Sequence, residues 1–179
     1  DSPPEKDVQW SEQGMKASYK FLQKLWLLHQ KIKEKINLTN VSNNKLINIS
    51  KFTNELINKV TNNLEKFHYN GIVANLYETY NFMIKMIDKP IDQKDLLINY
   101  KKILHHMMPL IPHFSSECLE DLKINNSIKW PIADKKILTN DKTNIVIQIN
   151  GKKRSIINCK KKTSEESLIK LIKNEKKLD

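Results

Sequence analysis

The side chains best suited to metal binding or covalent chemistry are His29, His68, His105, His106, His113, Cys118 and Cys159. Their spacing is poor for either purpose. The two cysteines are far apart, and the histidines form no His-x-x-x-His pair, so a structural zinc site is not expected. His105, His106 and Glu117 come nearest to an acid–base set, but no partner completes it as a catalytic constellation. With only three glycines the chain also has no glycine-rich phosphate loop.

The cations are more informative. Against 20 Asp+Glu the chain has 31 Lys+Arg, a formal charge of +11 that attracts polyanions and leaves the fold open. Lysine, asparagine and isoleucine are used heavily throughout, and Arg154 is the single arginine. From Gly151 to Asp179 there are ten basic and four acidic residues, a net +6, which is the footprint of phosphate contact. Asn150-Gly151 is explained by a turn that needs positive φ, without any ligand. Lys152, Lys153 and Arg154, with Lys160 and Lys161 following, are not explained by that turn. A guanidinium offers a planar fork to phosphate or a flat face to a base, so Arg154 is the leading candidate contact. Lys20 and Lys24 are secondary candidates, since a helix lysine is more often simply solvated.

The elements that must carry these residues follow from periodicity. At 179 residues and 39% apolar, the chain can bury one main core plus a small appendage. Ser11 caps a first helix in which Met15, Tyr19, Leu22, Trp26, His29, Ile32 and Ile36 recur at three- and four-residue steps. A second runs from about Lys45 to Phe67 with Leu46, Ile49, Leu56, Val60, Leu64 and Phe67 on one face. A third starts near Gly71 and stops before Pro90, and a fourth follows the cap Asp92 and stops at Pro109. A shorter fifth begins near Pro112. Spacing of this kind places Trp26, Tyr80 and the other helix aromatics in the core, and His113 in a packing or capping role. After Trp130-Pro131 the pattern turns to strand alternation, and residues 144–159 read as a hairpin followed by a helix capped at Thr163 or Ser164. The expected fold is mainly α: an antiparallel bundle followed by a small α+β module of hairpin plus helix. The longest apolar runs, such as Leu25-Trp26-Leu27-Leu28, are far shorter than the roughly 20 residues of a membrane span, so a soluble, cytoplasmic chain without membrane contact is expected.

Four segments carry a family resemblance. Ser2-Pro3-Pro4-Glu5-Lys6-Asp7 with Trp10-Ser11 and Gly14 resembles the lead into the anticodon-binding bundle of leucyl-tRNA synthetases. Tyr19-Lys20-Phe21-Leu22-Gln23-Lys24-Leu25-Trp26 is similar to that family's RFLxRxW helix, with Lys20 and Lys24 where arginines are usual. Pro109-Leu110-Ile111-Pro112-His113 with Glu117 resembles its PxxPHxxEE segment, where Cys118 replaces the second glutamate. Trp130-Pro131 and Gln148-Ile149-Asn150-Gly151-Lys152-Lys153-Arg154 resemble its WP and QVNGKxR elements.

The resemblance implies a class Ia anticodon-binding bundle and a truncated C-terminal tRNA-binding module, within an enzyme that charges tRNA(Leu) using ATP and Mg2+. The implied organisation is a lead-in at 1–13, a helical domain at 14–128 and a partial α+β domain at 129–179. The start at Asp1 without a methionine fits a piece of a longer chain, and the family's last strand has no counterpart after Asp179. The family's His-x-Gly-His and Lys-Met-Ser-Lys-Ser motifs do not occur in these residues, so this part is expected to be catalytically inactive and to need no cofactor of its own. Its implied partners are tRNA(Leu) and the upstream catalytic domain of the same polypeptide, as a monomer. Arg154, Lys152, Lys153, Lys160, Lys161, Asn150, Lys20 and Lys24 are the expected tRNA-binding set, with the bundle along the inner side of the tRNA and the last module at its elbow. The rival reading from composition is a free-standing helical RNA-binding or assembly module.

Overall fold

A computed structural model describes residues 6–7, 9–38, 46–124, 129–138, 142–149, 152–160 and 163–173. In chain order its elements are α1 (Glu12–Asn37), α2 (Ser50–Glu65), α3 (Tyr69–Ile87), α4 (Gln93–Met107), α5 (Pro112–Asp121), α6 (Lys135–Leu138), β1 (Lys142–Ile149), β2 (Lys152–Lys160) and α7 (Glu165–Lys173). They form two compact units, Asp1–Asp134 and Lys135–Asp179. The mainly α fold with a small α+β hairpin module is the one expected from the sequence.

Helix starts follow local chemistry. Ser11 is extended at φ −138°, and its Oγ accepts the Gly14 N–H at 3.0 Å. Asp92 does the same for the Asp95 N–H at 2.8 Å. Pro112 opens α5, where its missing N–H costs no helix bond.

Two helices end in the same way. Phe67 and Lys123 both sit at φ 56° in the left-handed region. Beyond them, His68 N–H reaches Asn63 C=O at 2.8 Å and Ile124 N–H reaches Leu119 C=O at 2.9 Å, the six-to-one bonds of Schellman ends. The second helix therefore stops at Glu65, leaving Phe67 65% exposed. At its other end Ile47 bonds to the Pro90 carbonyl at 2.8 Å, so residues 46–49 run outside the helix and Leu46 is exposed.

The core of the first unit lies among α1 to α5 and includes Ile32, Val60, Ile72, Met83, Leu96, Ile103, Leu104 and Leu119. The aromatic assignment needs correction. Tyr100 is buried and Tyr80 packs half-buried against the core, but Trp26 is 37% exposed and Tyr19 64% exposed. On α1 the buried stripe is Leu25, Leu28, His29 and Ile32, and each residue turns the helix by about 100°, which carries Trp26 off that stripe. His113 is exposed, so it does no packing work. Trp130 belongs with the bundle: its indole N–H donates to Thr61 Oγ1 at 3.1 Å and its ring meets His106 edge-on at 4.6 Å. Asp134 N–H likewise donates to Asn54 Oδ1 at 2.7 Å.

In the second unit β1 and β2 pair antiparallel, with Ile145 opposite Ile157 and Ile147 opposite Ser155. Ile147 and Cys159 are buried on one face, while Val146 and Ile156, paired on the other, are each 48% exposed. Ser164 C=O accepts the Leu168 N–H at 3.0 Å as α7 begins. The Asn150-Gly151 turn lies outside the described residues. Among the described residues no helix is long and apolar enough to cross a membrane.

Candidate nucleic-acid interface

Arg154 occupies a distinctive place on β2. The register passes from Ile147↔Ser155 directly to Gln148↔Lys153, so Arg154 falls in a β-bulge. A bulge adds a residue to one strand, bends it and re-aims the side chains there. Arg154 is exposed there. On the same hairpin the paired Val146 and Ile156 are each 48% exposed, and an exposed guanidinium on such a surface suits a flat base or a phosphate.

The lysines expected around it are not all brought together. Lys152 and Lys153 begin β2 and Lys160 ends it, and eight residues of strand rise separate those ends by roughly 26 Å. Lys160 instead stands in register with Lys142 of β1. The hairpin thus has cations at both ends rather than one cluster. Lys161 and Asn150 lie outside the described residues. Lys20 and Lys24 are exposed on α1, one turn apart and on one face with Lys16 and Lys31, within the first unit.

Sequence reasoning did not find a buried polar chain at the heart of the bundle. His29 Nε2 lies 3.0 Å from Asp121 Oδ2, and its Nδ1 lies 3.1 Å from the Tyr100 hydroxyl. Lys33 Nζ donates to the other Asp121 oxygen at 2.5 Å. One assignment of protons satisfies these contacts: the Tyr100 hydroxyl donates to Nδ1, and Nε2–H donates to the carboxylate. Burial lowers the His29 pKa although Asp121 opposes the shift, so the ring is neutral at pH 7. Burial pushes the Cys118 thiol up to about 12, which removes it as a nucleophile. Hydrogen bonds from Lys33 and His29 hold Asp121 below its usual range. The network is structural chemistry. Its only sequence signal was His29 lying on an apolar stripe.

His105 and His106 are buried, and burial lowers both, His106 to about 4. Glu117 is exposed. Neutral buried imidazoles paired with a solvated carboxylate make a poor acid–base set. Among the described residues no group of three His, Cys, Asp or Glu could hold a metal ion.

Comparison with known proteins places the chain. The family described as the anticodon-binding domain of tRNA ligase matches residues 47–169. Leucine–tRNA ligase of Orientia tsutsugamushi (strain Boryong) is 35% identical over 173 residues, covering 94% of this chain and 20% of that protein. The enzyme of Fusobacterium nucleatum subsp. nucleatum is 32% identical over 182 residues, covering 94% of this chain and 21% of its own. The chain thus spans about a fifth of the curated relatives it matches. A crystal structure of the ternary complex of Agrobacterium radiobacter K84 agnB2 LeuRS, tRNA and LeuAMS shares the fold, with TM-score 0.71 at 18% identity, over 94% of this chain and 23% of that one.

Proposed function

The chain belongs to the anticodon-binding domain family of tRNA ligases, and on that footing we propose that it is the tRNA-binding part of a leucine–tRNA ligase. It contributes binding energy and orientation, which the whole enzyme converts into rate by holding the acceptor end in place. The carrying observation is Arg154, exposed in a bulge on a strand with lysines at both ends, in a chain of charge +11. Lys152, Lys153, Lys160 and Lys161 supply phosphate contacts along the hairpin at the tRNA elbow, with Asn150 setting the turn. Lys20 and Lys24 serve the bundle's side.

The whole enzyme would charge tRNA(Leu) with leucine in the cytoplasm, using ATP and Mg2+ bound by its catalytic domain, as a monomer. This part performs no chemistry. The proposed parts are a lead-in at 1–13, a helical domain at 14–128 and an α+β domain at 129–179; the bonds of Trp130 and Asp134 to α2 support carrying the helical part on to Asp134, where the first compact unit ends.

Binding of the 179-residue chain to tRNA(Leu) across a salt series tests this reading. Affinity should fall with a log–log slope of about 0.7 to 0.9 per phosphate neutralised. A flat response would mean that the cations only solvate the surface.

A further inference from the structure

Between α2 and α3 the bundle opens a groove of about 780 Å³, lined among others by Phe52, Tyr77, Glu78, Asn81, Phe82 and Lys85. Its aromatic wall is a face-to-face pair, Phe52 of α2 on Phe82 of α3, with centroids 3.8 Å apart and planes 5° from parallel. Tyr77 stacks on Phe21 of α1 at 3.9 Å, yet it stays 43% exposed and lines the groove as well. Tyr77, Asn81 and Lys85 are all exposed and follow at steps of four, so they stand on one face of α3. Glu78, the acidic residue of the lining, is already engaged: Lys59 Nζ donates to its two carboxylate oxygens at 2.7 and 2.9 Å.

We propose that this groove binds one unpaired nucleobase of the tRNA, stacked on Tyr77, with its edge on the Asn81 amide and its phosphate on Lys85. The proposal rests on the reading of the chain as a tRNA-binding part, to which it adds a base contact on the bundle. Charge and chemistry select this occupant. With Glu78 neutralised by Lys59, Lys85 leaves the lining positive. Lys24, three residues after Phe21 and so its neighbour on α1, continues that charge toward the exposed Lys20 and Lys31. An aromatic ring offers any base a π-face, an amide carries both the donor and the acceptor that a base edge requires, and an ammonium takes the phosphate. Tyr77 and Lys85 stand about 12 Å apart along the helix, a span that one nucleotide and a lysine side chain together cover. A protein segment held by apolar contact would have to bury Asn81, Glu78 and Lys85, and a second copy of the chain would bring another +11 to the contact.

The test is binding of tRNA(Leu) to the 179-residue chain and its variants, with thermal unfolding of each and ultraviolet cross-linking of the parent complex mapped by mass spectrometry. Tyr77→Ala should weaken binding about five- to hundredfold and leave the salt slope unchanged, because stacking releases no counterion. Tyr77→Phe keeps the ring and should bind like the parent. Lys85→Ala should lower the log–log slope by about 0.7 to 0.9. Irradiation should join RNA to the peptide that carries Tyr77, a readout that depends on the folding of no variant. Parental affinity of Tyr77→Ala, or an equal loss in Tyr77→Phe, would overturn the base site. So would a cross-link map without Tyr77, which would leave the groove to a protein partner. So would concentration-dependent mass of the parent that Asn81→Glu abolishes, which would make the occupant a second copy. The functional reading is judged on the parent alone: a parent that binds tRNA while Tyr77→Ala binds equally well keeps that reading and removes only the groove.

Discussion

His29 and Asp121, 92 residues apart, meet with Nε2 3.0 Å from Oδ2 and tie the middle of α1 to the last turn of α5. His29 is fully buried, so its N–H has no water to turn to if the carboxylate is lost. Asp121→Ala should lower stability, read as a reduced urea midpoint at unchanged m-value. Asp121→Asn keeps an acceptor for Nε2–H and should recover part of that loss. Equal midpoints for all three proteins would show that the bond contributes nothing net.

Stability should fall on mild acidification, and the sign follows from burial. His106 is neutral in the fold, with its pKa lowered from 6.5 to about 4, so between those values the unfolded chain binds a proton that the native chain refuses. Its contribution is complete above pH 6.5 and shrinks as pH falls toward 4, by about 3 kcal/mol in all. His29 and His105 are lowered too and act in the same direction. Chemical unfolding at pH 7, 6 and 5 reads this slope, and His106→Phe should flatten it. Stability that rises between pH 6 and 5 would contradict the burial of these rings.

Lys123 ends α5 in the left-handed region at φ 56° without being glycine. An L-residue there costs roughly 1–2 kcal/mol, partly offset by the greater unfolded-state freedom of glycine. Lys123→Gly should therefore stabilise the chain by up to about 1 kcal/mol, seen as a raised melting temperature. A lowered one would mean that the lysine side chain contributes more than its backbone conformation costs.

What the sequence revealed and what it hid divide along a physical line. Features set by neighbours in the chain were legible: Ser11 and Asp92 as caps, Pro112 as a helix start, and the alternation of Ile145, Ile147 and Ile149 as a strand. Features set across the chain were not. Nothing local announces that Tyr100, His29 and Asp121 form one hydrogen-bonded chain, because each pairing is made by helix packing. Trp26 was misplaced because its periodicity is genuine, yet the stripe it belongs to is the exposed one on α1. The candidate site was read in part. Arg154 stood out as the single arginine, whereas its bulge depends on register with β1, and sequence nearness hid the length of strand between Lys153 and Lys160.

That bulge makes Arg154 the sharpest test of the proposed interface. Ile147 pairs with Ser155 and Gln148 with Lys153, so truncating Arg154 removes no partner from the ladder, and the hairpin should keep its fold. Arg154→Ala should weaken tRNA(Leu) binding by about 1–3 kcal/mol if a charge-assisted contact is lost, with thermal unfolding unchanged. Arg154→Lys separates geometry from charge: if the planar fork or its stacking matters it should behave like Ala, and if only the field matters it should behave like the parent. The salt series adds an independent reading, because losing one phosphate contact should lower the log–log slope by nearly one in the Ala variant and leave it intact in the Lys variant. If both variants bind with parental affinity and slope, the bulge serves the strand alone, and the contact must be sought at Lys152 and Lys153 or at the paired Lys142 and Lys160.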